Sequence, residues 1–105
     1  MQMTGELPAP ELTEINLNAV FSALADPLRR GIVRELLDGD GSERACASFE
    51  LPKAKSTRTH HWRVLREAGL IRQRDAGNGT FVRLRSEFDD RFPGLLATIA
   101  KLDEI

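Results

Sequence analysis

The sequence predicts a mainly helical domain that carries one small β-hairpin toward its C-terminal end. Three observations lead there. Apolar residues recur at helical spacing in several separate stretches, capping residues and prolines punctuate those stretches, and one run alternates with the two-residue rhythm of strands about a glycine-rich tip. A chain of 105 residues fits one core, and 41% hydrophobic with 30% charged residues is a globular composition, not a disordered one.

The elements follow in order. Residues 1–12 hold Pro8 and Pro10 without periodicity and read as a flexible or loosely docked arm, leaving 13–105 as the folded domain. Thr13 is expected to cap a first helix, whose Leu17, Val20, Phe21 and Leu24 line one face. Asp26-Pro27 then marks a second start, because aspartate accepts from orphan amides and proline fits the first helical position. Leu28, Ile32, Val33, Leu36 and Leu37 give that helix its apolar face, and Asp38–Gly41 ends it. Ser42 is expected to cap a short third helix through Phe49, stopped by Leu51-Pro52.

After a link at 53–55, Ser56 is expected to cap a fourth helix running to Ala68, with Gly69 as terminator. Leu70-Ile71 opens a strand, and Ala76–Gly79 turns it back into Phe81–Arg85. Val82 and Leu84 should face one way, and Phe81, Arg83 and Arg85 the other. Ser86 with Asp89 is expected to cap a last segment, which Pro93 interrupts before the stripe of Leu95, Leu96, Ile99 and Leu102. The order is helix, helix, helix, helix, hairpin, helix. Two helices on a short turn, followed by a basic hairpin, describe a winged helix-turn-helix.

A formal charge of −1 hides an asymmetry. Residues 53–85 carry nine cations against Glu67 and Asp75, a net of +7, while the remainder carries six cations and fourteen carboxylates, a net of −8. Such segregation presents one face to a polyanion and keeps the molecule soluble. On the fourth helix Trp62, Leu65 and Gly69 share one side, with Arg58 a turn earlier. Lys55, Ser56, Thr59, His60 and Arg63 project on the other. Small hydroxyl side chains let a backbone approach phosphates, His60 can meet a base edge, and Arg63 can reach phosphate. Arg72, Arg74, Arg83 and Arg85 of the hairpin would straddle the neighbouring backbone or enter the minor groove. The candidate double-stranded DNA contacts are therefore Lys53, Lys55, Ser56, Thr57, Thr59, His60, Arg63, Arg74 and Arg83. The other reading of this face is a module that meets an acidic protein.

The stretch Ser56-Thr-Arg-Thr-His-His-Trp-Arg-Val-Leu-Arg-Glu-Ala-Gly-Leu-Ile71 resembles the recognition helix of the ArsR/SmtB (arsenical-repressor) family of bacterial winged-helix regulators. Leu24-Ala-Asp-Pro-Leu-Arg-Arg-Gly-Ile-Val-Arg34 resembles the same family's second-helix start. The two motifs lie within a match spanning about residues 17–90. The resemblance implies a homodimer formed through the first and last helices, acting on a palindromic operator as a repressor. Ser56, Thr59 and His60 stand at its DNA-contacting positions. Two residues depart from the pattern: Arg58 replaces an aliphatic residue facing the core, and Trp62 replaces a leucine. The apolar faces Leu17, Val20, Phe21, Leu24 and Leu95, Leu96, Ile99, Leu102 are the candidate dimer interface, since so short a chain leaves them little cover.

Other functions lack their residues. Cys46 is the one cysteine, so neither an intrachain disulfide nor a paired-thiolate metal site is expected. The last helix offers Asp89, Asp90, Asp103 and Glu104 but no histidine, and His60-His61 diverge around the helix by 100°. No metal, no cofactor and no enzyme chemistry is expected, because no phosphate loop or nucleophile–base pair appears. No apolar run is long enough to span a membrane, and Met1–Glu6 lacks secretory-signal character, so the expected location is the cytoplasm. Operator sequence and effector are not written in the chain.

Overall fold

The computed structural model describes residues 5–103; residues 1–4 of the expected arm, and Glu104, lie outside them. The elements are β1 (Gly5–Glu6), α1 (Leu17–Leu24), α2 (Pro27–Asp38), β2 (Arg44–Ala45), α3 (Lys55–Glu67), β3 (Ile71–Asp75), β4 (Thr80–Leu84), α4 (Phe88–Arg91) and α5 (Leu95–Leu102). Short 3-10 turns occupy Leu12–Glu14 and Cys46–Ser48. The mostly helical chain with its antiparallel hairpin is a winged helix-turn-helix, as the sequence predicts.

Helix α2 starts where expected. Asp26 accepts from the Leu28 and Arg29 amides at 2.8 and 3.3 Å, and Pro27 takes the first helical position. Helix α1 starts later than Thr13 suggests. Asn16 is its cap, accepting from the Ala19 amide at 2.9 Å, while Thr13 lies inside the preceding 3-10 turn. The displaced start leaves Ile15 extended and 2% exposed, with its side chain seated over Gly69.

The third helix expected over 42–49 does not form. Asp40 turns the chain by accepting from both the amide and the hydroxyl of Ser42. Arg44 and Ala45 then pair with Val82 and Phe81, adding β2 to the open edge of β4. Ser48 donates to the Ala45 carbonyl at 2.6 Å, a local bond that competes with helix continuation. At the other edge Gly5 and Glu6 pair with Asp75 and Arg74, completing an antiparallel sheet of order β1-β3-β4-β2. The segment expected as an arm is thus docked over residues 5–10: the Leu7 amide donates to Gln73, and Pro8 and Pro10 carbonyls accept from Arg66 and Arg85.

Ser56 does not cap α3 either. The helix begins one residue before it, from Ala54, and no side chain accepts from its first amides. Its other end matches expectation. The Gly69 amide donates to Arg66 and the Leu70 amide to Leu65, a closed helix terminus that requires the left-handed φ of +85° at Gly69. Ser86 and Asp89 do not form a cap; Asp89 accepts from Gly94 at the turn into α5 instead. The core runs through all layers, with Val20, Leu65, Leu70, Ile71, Val82 and Phe88 fully buried.

Gly69 is where fold and packing coincide. A Cβ there would lie 2.5 Å from two carbons of Ile15, on a backbone that side chains avoid. Gly69→Ala should therefore cost about 2–4 kcal/mol of stability from strain plus overpacking, measurable by urea denaturation.

Candidate nucleic-acid interface

Helix α3 divides sharply between a buried and an exposed side. His61, Trp62 and Leu65 are buried, while Lys55, Ser56, Thr57, Thr59, His60 and Arg63 are exposed, as is Lys53 in the preceding link. Trp62 meets Phe49 edge-on with ring centroids 5.5 Å apart, and Arg44 lies 3.9 Å over the other aromatic of the pair, Phe49. The larger side chains at positions 49 and 62 thus seat the helix against the turn before it.

Arg58 neither reaches outward nor stacks on Trp62. Its guanidinium donates to the Pro52 carbonyl at 3.2 Å and to that of Lys53, tying the link to the helix it leads into. Behind the helix Arg29 donates to the Ala23 and Ser22 carbonyls and faces His61 Nδ1 at 3.2 Å. Arg30 donates to the Leu24 carbonyl and pairs with Asp103 of the chain's last described turn. The two adjacent arginines close the C-terminal carbonyls of α1 from the helix that follows it.

The hairpin arginines have unequal fates. Arg85, expected to face outward, is 4% exposed. The strand ends at Leu84, the Arg85 amide continues to the Leu70 carbonyl, and the guanidinium turns inward to Glu87 and the Pro10 carbonyl. Arg72 pairs with Glu87 at 3.1 Å and Glu6 at 3.6 Å. Arg74 holds Glu43 through two nitrogens and lies over Phe81, and this bond keeps the Glu43 carboxyl below its usual range. Arg83 has no ion pair among the described residues. Three wing cations are therefore matched by carboxylates from outside the basic block or at its edge, which counting charges along 53–85 misses. Lys53, Lys55 and Arg63 remain as exposed cations on and before the polar face of α3, while Arg83 is half-buried on β4 and acts on Glu43 at a distance.

Of the apolar residues expected at a dimer interface, the structure brings some together and hides others. Val20, Leu24 and Leu96 are buried in the chain's own core. Leu17, Phe21 and Leu102 are 43%, 51% and 61% exposed. Leu95 and Ile99 are half-buried. Leu17, Phe21, Phe92 and Leu95 line an open groove of about 450 Å³ between α1 and α5.

Cys46 is half-buried, and burial pushes its thiol up, partly offset by the Gln73 side-chain amide donating at 3.5 Å. No three His, Cys, Asp or Glu side chains converge among the described residues. No described helix is long and apolar enough to cross a membrane.

The fold and the exposed α3 face define a winged-helix transcriptional regulator, and known proteins agree. No family model matches the chain. It is 35% identical over 83 residues, 76% of this chain and 82% of the relative, to the uncharacterized HTH-type transcriptional regulator YceK of Bacillus subtilis. It is 32% identical over 84 residues, 79% and 90% of the two chains, to the uncharacterized HTH-type transcriptional regulator MJ1325 of Methanocaldococcus jannaschii. The crystal structure of an ArsR family transcriptional regulator superposes with a TM-score of 0.60 at 26% identity, covering 92% of this chain and 97% of that one. This chain belongs to the HTH-type transcriptional regulators and shares the fold of that ArsR family member. It is a DNA-binding regulator and not an enzyme.

The inward cluster at the base of the wing has a pH signature. The Arg85 bond, aided by Arg72 and opposed by burial, lowers Glu87 from 4.5 to about 2. A carboxyl depressed by folding contributes fully above pH 4.5, and that contribution fades as pH falls toward about 2. Glu87→Gln should cost about 2 kcal/mol near neutrality, the worth of a hydrogen bond to a charged group. In urea titrations the deficit should shrink progressively as the buffer is taken below about pH 4.

Proposed function

We propose that the chain is a repressor that binds a palindromic operator in double-stranded DNA as a homodimer. Helix α3 enters the major groove, and the wing rests on the flanking backbone. The observation that carries this reading is the polar, exposed side of α3 framed by cations without ion pairs. Thr59 and His60 sit in the first half of the helix, where a groove-inserted helix meets base edges. Ser56, Thr57, Lys53 and Lys55 surround a helix start whose amides no side chain caps, an arrangement suited to a phosphate. Arg63 extends the same side, and Arg83 is the wing's anchor. Arg74 contributes less while Glu43 holds it.

The homodimer reading is supported by Leu17 and Phe21, which are exposed in the α1/α5 groove, and by the exposed Leu102 on α5, large apolar side chains left in water. Two-fold pairing through this surface would set two α3 helices about one DNA turn, roughly 10 base pairs, apart. Occlusion of a promoter by the bound dimer is the simplest route to repression.

Fluorescence anisotropy with an operator selected from random duplex tests the DNA face. His60→Ala should lose about 1–3 kcal/mol on the operator and less on random duplex, as a base contact does. Arg83→Ala should weaken both alike and lower the salt slope by about one, while Arg74→Ala does so less. Equal affinity for all sequences, or indifference to all three substitutions, would mean that this face meets something other than DNA.

Sedimentation tests the assembly. The parent should run at twice its 11.7 kDa chain mass at micromolar concentration, and Phe21→Glu should leave a folded monomer with weakened operator binding. A monomeric parent that binds DNA normally would remove the dimer from the reading.

A further inference from the structure

Between α3, the turn at 46–51 and the wing lies a cleft whose aromatic wall the DNA reading does not use. Its outer chamber, about 430 Å³, is walled by Phe49, Leu51 and Trp62, with Lys55, Thr59, Thr80 and Arg58 also lining it, the Arg58 guanidinium donating to the Pro52 and Lys53 carbonyls. That volume falls in the range of small-molecule sites, as does the mixture of an aromatic wall and a few polar groups. An adjoining chamber of about 180 Å³ shares Cys46, Thr59, Trp62 and Thr80 with it and is also lined by Arg66 and Gln73.

Arg66 is the unusual group. It is half-buried, yet no described carboxylate forms an ion pair with it. Its Nε donates to the Pro8 carbonyl at 2.9 Å and its Nη1 to Gln73 Oε1 at 2.5 Å, both neutral acceptors. The charges that act on it are its helix neighbours, Glu67 favourably and Arg63 unfavourably, and burial pulls its pKa down. A guanidinium has five N–H donors, so two bonds leave three open, and a planar carboxylate matches its fork. In its own chamber Arg66 is the one charged group, beside the neutral Gln73, Thr59 and Thr80, while Lys55 and Arg58 line the adjoining chamber.

We infer that this cleft binds a small aromatic carboxylic acid, its ring against Phe49 and Trp62 and its carboxylate on Arg66. Lys55 and Thr59 belong both to the cleft margin and to the proposed DNA face, so the occupied cleft opposes operator binding. That second statement rests on the DNA reading; the first does not.

Trp62 is the chain's one tryptophan, so its fluorescence reports the cleft directly. The full-length protein is titrated with phenylacetate and, as an uncharged twin, phenylacetamide. The expected result is a saturable change with phenylacetate at millimolar concentration or below, and at least about tenfold weaker binding of the amide. Arg66→Gln should lose about tenfold for the acid and little for the amide. Because Arg66 also ties down Pro8, Ala47→Phe is the second variant: it adds a ring to the lining of the outer chamber and leaves Arg66 in place, and it should abolish the response. No saturable response up to about 10 mM, equal binding of acid and amide, or an unchanged response in Ala47→Phe would each overturn the site. Operator anisotropy with and without phenylacetate then tests the coupling. A Trp62 response with unaltered operator affinity overturns the antagonism alone. A Trp62 response in a protein that binds no DNA upholds the cleft and removes the DNA reading, and normal DNA binding without a Trp62 response does the reverse.

Discussion

The structure depends first on where Arg29 puts its guanidinium. It closes the Ala23 and Ser22 carbonyls at the end of α1 and meets His61 on the buried side of α3, so one side chain joins all three helices. Asp26 sets the position of Arg29 by accepting from its amide. Burial raises the Asp26 carboxyl, but the amide bonds from Arg29 and Leu28 outweigh it and leave the group below its ordinary range. The Leu24–Arg34 motif is thus a joint between helices as well as a helix start. An exposed face on α3 can be held at a fixed angle only if its buried face is pinned, and this joint does the pinning.

The two adjacent histidines show how little separates scaffold from surface. A step of one residue around α3 moves an imidazole from the Arg29 contact to open solvent. Arg58 and Arg66 lie on the same helix as His60, yet each donates to backbone carbonyls of flanking segments, Arg58 to the link before α3 and Arg66 to the docked strap at Pro8. Helix α3 is therefore braced at its start and near its end by its own cations. Net charge along a segment says how many cations exist, not how many remain to face a polyanion.

The same economy governs the wing. Its hairpin is edged on both sides by two-residue strands, β1 and β2, that come from remote parts of the chain. Those strands cover the edges, and their neighbourhoods bring in Glu6 and Glu43 to meet Arg72 and Arg74. The wing is in this way part of a four-stranded sheet tied to the body of the domain, with Arg83 left over.

By itself the sequence determined what local chemistry controls. The periodicity of α1, α2, α3 and α5, the Asp26-Pro27 start, the Gly69 stop and the hairpin about Ala76–Gly79 all follow from contacts within a few residues, and so does the outward side of α3. Only the tertiary structure decided the rest. Residues 42–49 carry a credible cap, yet Arg44 and Ala45 pair as a strand ahead of a 3-10 turn, because β4 offers an open edge that no local preference reveals. Arg85 continues an alternating pattern and still turns inward, because Glu87 and the Pro10 carbonyl, the latter 75 positions away, offer it partners. Val20, Leu24 and Leu96 share helical stripes with Leu17, Phe21 and Leu102, yet the first three are enclosed by the chain's own core and the others stay in water. A stripe fixes which side of a helix is apolar. How wide a stripe the core can cover depends on where the neighbouring helices lie, and that is set by long-range packing.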